Sequence, residues 1–460
     1  MKIAIIGGGP GGYVAAIKAA QLGAEVTIIE KENLGGTCLN KGCIPTKVLL
    51  HTAQQLEAAK NDYEKAGIEI DNVRVNWSKL LLRKEKTVKK LTSGVDVLLR
   101  KNGVIKISGE GSLKNKNQII VKKCDGSSAV VDFDYAIIAT GSSPSVPPMT
   151  GIKLEGVITS DEALSLDKIP KSLVIIGGGV IGAEFAAVYS ALGCKVTIVE
   201  MLSSIVANMD RDIVKPLKDK FLKNGIEIYT DTKVESIDRD GEGLVVNTSS
   251  QEGRKSHKAE KVLLAIGRRP AIEGLGLQEL GIKTERNAIA VNKNMQTSVN
   301  NIYAIGDCNG RVMLAHAASA QGIAAVESIM GKKPEIDFNT IPYCVYTKPE
   351  LAGVGITEEQ AKSKGIEVKI GIFPMYVNGK AMIESETEGL VKYIAQKDTG
   401  EIIGLHIAGP RATDLIVEGA LAIRLEATVD EIISTIHAHP TVGEALHEAA
   451  HAVYGSAIHI

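Results

Sequence analysis

Ile3-Ala4-Ile5-Ile6-Gly7-Gly8-Gly9-Pro10-Gly11-Gly12 opens a stretch that closes in Glu25-Val26-Thr27-Ile28-Ile29-Glu30. The pattern returns 170 positions later, from Leu173-Val174-Ile175-Ile176-Gly177-Gly178-Gly179-Val180-Ile181-Gly182 to Lys195-Val196-Thr197-Ile198-Val199-Glu200. Aligned without gaps, 3–30 and 173–200 share 13 of 28 residues, the mark of a duplicated domain. Each copy reads as strand, glycine turn, helix, strand. The short apolar runs suit strands buried on both faces. Gly7 permits the tight turn, Gly9 lets a pyrophosphate approach the backbone, and Gly12 lets helix and strand pack closely; Gly177, Gly179 and Gly182 repeat them. The pyrophosphate belongs at the helix N-terminus, where free N–H groups and the helix dipole favour an anion. Glu30 and Glu200 each close a copy 23 residues after its first glycine, placed to accept hydrogen bonds from a ribose. One glycine pattern is a weak signal. The whole unit appearing twice predicts two dinucleotide sites.

The rest of the chain bounds the function. Its 460 residues are enough for about three domains. Hydrophobic residues make up 44%, charged residues 23%, and the formal net charge is −1. That balance suits a globular protein and gives no reason to expect nucleic acid or a membrane surface as partner. No apolar run reaches the ~18 residues of a membrane span. The N-terminal strand runs into the glycine turn without a cleavage-site pattern, so a cytoplasmic location is expected. Six cysteines do not form a stapling framework. Cys124, Cys194, Cys308 and Cys344 are scattered, and small-residue packing is their default.

Cys38 and Cys43 stand apart from these as a close pair, within Gly35-Gly36-Thr37-Cys38-Leu39-Asn40-Lys41-Gly42-Cys43-Ile44-Pro45-Thr46-Lys47. The spacing is not a zinc pattern and no second Cys/His pair lies near, so no metal is expected. On a regular helix residues five apart lie about 140° round the axis. A disulfide needs Cα atoms within about 7 Å. The pair therefore requires a distorted helix between the two cysteines, which Gly42 and Pro45 would permit.

The cysteine pair also assigns the two nucleotides. A dithiol and a nicotinamide exchange electrons poorly without an intermediary, so the first site is expected to hold FAD. Ala139-Thr140-Gly141, after the strand Tyr135–Ile138, and Gly306-Asp307, after the strand from Ile302, supply further flavin contacts. Asp307 suits the ribityl hydroxyls; the alternative is a cap before a helix over 315–326. Glu200 would repel a 2′-phosphate and Met201-Leu202-Ser203-Ser204 brings no arginine, so the second site is expected to take NAD. The alternative is a distant lysine or arginine folded in to hold the phosphate.

Six segments together resemble the class I pyridine nucleotide-disulfide oxidoreductases over nearly the whole chain. They are Gly36 to Lys47, Gly177 to Glu184, Ala139-Thr140-Gly141, Ala265-Ile266-Gly267-Arg268-Arg269-Pro270, Tyr303 to Asp307, and His437-Ala438-His439-Pro440-Thr441. The resemblance implies that Cys38 exchanges sulfur with substrate, that Cys43 faces the flavin, and that Lys47 approaches flavin N5 and pairs with Glu184. It places Thr37 and Gly267 among the nucleotide contacts and Met313, Leu314, Ala315 and His316 at the isoalloxazine end. A proton acceptor is also needed, and histidine suits it. From spacing alone, Thr441-x-x-Glu444 is a capping box for a helix over 445–454, and a second role for Glu444 stays open. The resemblance makes His439 the acid–base group and Glu444 its orienting carboxylate. His437, two residues away on an extended segment, would point to the opposite side.

The expected architecture is α/β: two Rossmann-like domains for FAD and NAD plus a C-terminal α+β domain. The boundaries are 1–145 for the first part of the FAD domain, 146–270 for the NAD domain, 271–340 for a central domain completing the FAD site, and 341–460 for the dimerisation domain. The resemblance implies a homodimer in which His439 serves the other subunit. The implied reaction is oxidation of a lipoyl dithiol, with NAD reduced. Its carrier would be a separate protein of a 2-oxo acid dehydrogenase or glycine cleavage complex. Rival readings are weaker. A glutathione-type reductase would want arginines near Glu200, a mercuric-type enzyme a cysteine pair where Ala457-Ile458-His459-Ile460 stands, and an NADH oxidase or redox sensor a single cysteine.

Overall fold

A computed structural model describes residues 1–334 and 336–460. Strand β1 (Lys2–Ile6), helix α1 (Pro10–Gln21) and strand β2 (Glu25–Glu30) form the first glycine-turn unit. β1 lies at the centre of a five-stranded parallel sheet in the order Ile302–Ala304, Tyr135–Ile138, β1, β2, Ile105–Ser108. Ile3, Ile5 and Ile28 are buried, each contributing about 1.5–3 kcal/mol. The second unit builds a parallel sheet of the same plan, in the order Glu227–Tyr229, Lys195–Val199, Ser172–Ile176, Lys261–Leu264, Val157–Thr159. In both, the strand leading into the glycine turn sits where the strand order reverses, the place at which such sheets bind nucleotides.

The duplication reaches beyond the matched 28 residues. A three-stranded antiparallel sheet from Glu110 to Asp132 precedes the strand Tyr135–Ile138. Another, from Lys233 to Ala259, precedes Lys261–Leu264. The expected helix after Asp307 runs from Ala315 to Ile329, about one turn longer than the sequence pattern indicated. It packs on α1 so closely that a Cβ on Gly322 would lie 2.7 Å from the Gly11 carbonyl oxygen. Residues from 271–340 thus enter the first sheet and its helical layer.

From Tyr343 the chain forms a five-stranded antiparallel sheet, in the order Tyr343–Val345, Glu350–Gly355, Ile402–Gly409, Leu390–Gln396, Val368–Pro374. Helices Ala412–Arg424 and Glu444–Val453 pack on it. Helix α3 (Cys43–Asn61) joins all three parts: Leu49 and Leu50 share one core with Phe185 and Tyr189 of helix Val180–Ala191 and with Val345, Leu351 and Ala408. Among the described residues, no helix is long and apolar enough to cross a membrane.

A buried ion cluster ties the second sheet's domain to the antiparallel one. Lys392, 2% exposed at its side chain, reaches both oxygens of the Asp210 carboxylate at 3.2 Å and Asp212 and Glu358 at 2.6 Å. Removing the cation leaves the buried Asp210 carboxylate uncompensated, at a cost of about 3–5 kcal/mol. Lys392→Met is therefore expected to lower the thermal unfolding midpoint by several degrees. An unchanged midpoint in calorimetry would contradict that role for the cluster.

Candidate active site

Helix α2 (Gly36–Lys41) stops at Gly42, whose φ −144° and ψ −114° leave the helical region, and α3 resumes at Cys43. The expected distortion is therefore a clean break at Gly42. Pro45 is not its cause: it sits in the first turn of α3, where a missing N–H costs no helical hydrogen bond. The break brings the Cys38 and Cys43 side chains together, close enough for each to set the other's titration. The hydrogen bond from Cys38 is the largest influence on Cys43, followed by burial, which opposes it, and then by the Lys47 ammonium. The result lowers the Cys43 thiol from 9.0 to about 7. The same hydrogen bond, with burial, pushes Cys38 far above the ordinary range. The pair titrates as a unit.

The two glycine turns are held alike. Gly8 N–H donates to Glu30 Oε2 at 2.6 Å and Glu32 N–H to Glu30 Oε1 at 2.7 Å. Gly178 N–H donates to Glu200 Oε2 at 2.6 Å and Leu202 N–H to Glu200 Oε1 at 2.7 Å. Gly7 and Gly177 have φ of 107° and 104°, which only glycine adopts freely. A Cβ on Gly12 would stand 1.9 Å from the Gly7 carbonyl oxygen, and one on Gly182 2.0 Å from that of Gly177. At Gly9 and Gly179 the space is open instead: nothing lies within 4 Å of a Cβ on Gly179, and on Gly9 the nearest atom is 3.9 Å away.

Both turns open on one cleft of about 2040 Å³. Drug-sized ligand pockets run to roughly 1,000 Å³, so this cleft has room for two dinucleotides. Every expected cofactor contact lines it except Gly12 and Gly182, which lie beneath the turns. Cys38 and Cys43 line it too, between the cradles. Across it Lys47 Nζ lies 2.8 Å from both oxygens of Glu184, whose side chain is 4% exposed. Burial pushes the Asp307 carboxyl up, while a hydrogen bond from Ser142 Oγ and the charge of Arg268 pull it down. Thr140 Oγ1 donates to Ala271 O at 2.7 Å, and His316 Nε2 lies 2.9 Å from Pro342 O. Lys233 lines the same cleft as Glu200, and Glu235 holds its ammonium at 3.1 Å.

His439 and Glu444 do not line this cleft. His439 Nδ1 lies 2.9 Å from Glu444 Oε1, and the His439 side chain is 79% exposed. The expected capping box is only half made. Thr441 N–H donates to Glu444 Oε2 at 2.9 Å, but Thr441 Oγ1 donates to Ala438 O, and the helix runs Glu444–Val453 with Gly443 as its cap. Both carboxylate oxygens are thus used, one on the segment's backbone and one on the imidazole. His437 is turned inward, 10% exposed, with Nε2 3.2 Å from Glu418 Oε1; that carboxylate holds its imidazole above the usual value.

Two supporting residues were not singled out from the sequence. Arg268 donates from Nε to Ser142 Oγ at 2.7 Å and from Nη2 to Thr37 Oγ1 at 3.4 Å, linking Asp307, through Ser142, to the cysteine turn. The Ala-x-Gly pattern repeated at 139–141 and 265–267 was the available signal for it. Gln321, buried on the helix Ala315–Ile329, accepts from Gly306 N–H and Asn309 Nδ2, each at 2.8 Å. No sequence pattern marks it. Among the described residues, no group of three or more His, Cys, Asp or Glu is placed to hold a metal ion.

The sequence profile described as pyridine nucleotide-disulphide oxidoreductase matches residues 1–322, and that of the family's dimerisation domain matches residues 341–450. Dihydrolipoyl dehydrogenase, mitochondrial, of Pisum sativum is 42% identical over 100% of this chain and 92% of its own length. Dihydrolipoyl dehydrogenase of Bacillus subtilis is 42% identical over 99% of this chain and 98% of its own. Among solved structures, LpdA from Mycobacterium tuberculosis superposes with a TM-score of 0.91 at 28% identity, covering 98% of this chain and 99% of that one.

The shared titration of the cysteines has a measurable consequence. In the reduced protein, Cys43 is expected to be alkylated by iodoacetamide with a pH midpoint of about 7. The thiolate fraction then rises from about a tenth at one unit below the midpoint to about nine tenths at one unit above. Mass spectrometry of the Cys43 peptide checks this; a midpoint at the ordinary thiol value would contradict it.

Proposed function

The chain belongs to the pyridine nucleotide-disulphide oxidoreductases, and from that premise we propose that it is a dihydrolipoyl dehydrogenase. The observation that carries the reading is the cysteine pair standing between two glycine cradles that share one cleft. The first cradle fits FAD: its open face at Gly9 suits a pyrophosphate, Glu30 a ribose, and the half-buried Asp307 carboxylate the ribityl hydroxyls. Met313, Leu314, Ala315 and His316 wall the isoalloxazine end, with Thr37, Lys47, Thr140, Gly141 and Gly306 completing the contacts. Bound FAD supplies the two-electron relay between a dithiol and a nicotinamide. The second cradle suits NAD, since Glu200 repels a 2′-phosphate and Lys233, on the lining of the same cleft, is paired with Glu235.

In the oxidised state Cys38 and Cys43 form a disulfide. A substrate thiolate attacks Cys38 Sγ, the Cys38–Cys43 bond breaks, and Cys43 leaves as a thiolate beside Lys47. The second substrate thiol then attacks the substrate sulfur of the mixed disulfide and expels Cys38, closing the cyclic disulfide product. The two enzyme sulfurs now hold the electron pair. His439 of the partner subunit takes the thiol proton, and Glu444 holds that imidazole by Nδ1 so that Nε2 faces the sulfur. This assignment of His439 to a second copy is supported by its exposure, by its absence from the cleft lining and by the dimerisation-domain match. The substrate dithiol rides on a lipoyl-bearing carrier protein of a 2-oxo acid dehydrogenase or glycine cleavage complex. A reducing compartment such as the cytoplasm suits the scattered Cys124, Cys194, Cys308 and Cys344, which pair with no other cysteine.

Cys38→Ser is expected to abolish turnover of dihydrolipoamide with NAD while FAD stays bound; retained turnover would sink the assignment. His439→Ala should slow the dithiol reaction by roughly 10²–10⁴-fold. Steady-state rates are expected to favour NADH clearly over NADPH, and the reverse order would overturn the role given to Glu200.

A further inference from the structure

The pairing of Lys47 with Glu184 leaves one side of the ammonium uncovered, and Tyr346 covers it. The Lys47 Nζ lies 4.5 Å from the centroid of the Tyr346 ring. Tyr346 also touches the other partner: its backbone N–H donates to Glu184 Oε1 at 3.2 Å. Its own carbonyl oxygen accepts from Gln54 Nε2 of α3 at 3.0 Å, which fixes the backbone at this point. The three groups come from three parts of the chain: Lys47 from α3, Glu184 from helix Val180–Ala191, and Tyr346 from the end of the strand Tyr343–Val345.

We propose that Tyr346 is a positioning residue of the redox centre, its ring and backbone N–H together holding the Lys47 ammonium and the Glu184 carboxylate in place beside Cys43. The inference deepens the dehydrogenase reading and rests on it only for the role of Cys43 in the redox pair.

A flexible lysine with a side chain 31% exposed can swing into water; a carboxylate on one side and a π face on the other confine it. The position matters because the groups facing Cys43 act in opposite directions. The Cys38 thiol and the Lys47 ammonium favour its thiolate, whereas Glu184 disfavours it. Around Tyr346 the further ionisable groups are Cys344 and Glu350. Burial raises the Tyr346 hydroxyl to about 12, so it stays neutral and the ring, not a phenolate, acts on Lys47. The hydroxyl is therefore dispensable and the π face is not.

The test uses the FAD-loaded protein in a Cys38→Ser background, where Cys43 is the only thiol of the pair, and follows iodoacetamide alkylation of the Cys43 peptide against pH. Tyr346→Phe, which keeps the ring, is expected to leave the midpoint unchanged. Tyr346→Leu, which keeps the backbone N–H but removes the π face, is expected to raise it by roughly half a unit. Tyr346→Gln serves the same purpose should the leucine variant not retain FAD. Equal midpoints for Tyr346→Leu and Tyr346→Phe would overturn the proposal, as would an equal rise in both. In the Cys38-containing enzyme, Tyr346→Leu should slow the dithiol reaction by about 2–5-fold, with Tyr346→Phe restoring it. The alkylation titration does not depend on which dithiol is the substrate. Loss of dihydrolipoamide turnover in the unmodified enzyme would therefore sink the dehydrogenase reading and leave this one standing.

Discussion

The seam between α3 and helix Val180–Ala191 governs the arrangement of everything around it. Leu49 and Leu50 of α3 enter the core that Phe185 and Tyr189 build beneath the second parallel sheet, and the Lys47–Glu184 ion pair closes the seam at the cleft. Because α3 begins at Cys43, this seam carries the cysteine turn to the boundary between the two nucleotide cradles. A buried carboxylate facing an apolar core would be costly alone. With Lys47 on both its oxygens, Glu184 becomes a reference point that positions the helix bearing Cys43.

Much of this was legible in the sequence because glycine sterics leave few alternatives. The 1.9 and 2.0 Å approaches at Gly12 and Gly182 exclude any side chain, so the pattern survives in both copies and announces itself. The strained spacing of Cys38 and Cys43 was equally readable, since an intact helix cannot join them. Pro45 was misjudged as a source of distortion, since a proline in the first helical turn is tolerated and the break falls one residue ahead of α3. The three-stranded antiparallel sheets that complete the duplication were not visible. Their strands alternate exposed and buried residues, which any amphipathic pattern satisfies. Gln321 was invisible for a different reason: a buried amide on a helix matters only through its partners, and Gly306 and Asn309 are brought to it by folding.

The C-terminal domain shows how one side chain can carry two duties. Glu444 gives one oxygen to the backbone of Thr441 and the other to the imidazole of His439. Spacing alone pointed to a capping box, but the threonine hydroxyl turned to Ala438 and the box never closed. His437 and His439, two residues apart, end in opposite environments, one paired with Glu418 inside the domain and the other standing in solvent. The family's dimerisation domain, matched across 341–450, spans this whole segment.

Glu30 and Glu200 each hold their glycine turn by two backbone N–H groups. The bracing is the same in both copies, so the turns themselves do not tell the two sites apart. What differs between the two sites is the walls around the turns. The first cradle is fenced by the Gln321-braced turn at Gly306-Asp307 and by Met313 to His316. The second faces exposed Met201 and Leu202, 68% and 53% exposed, at its rim. One duplicated turn is thus set in two different surroundings, and the two sites are told apart by changes made outside the turn.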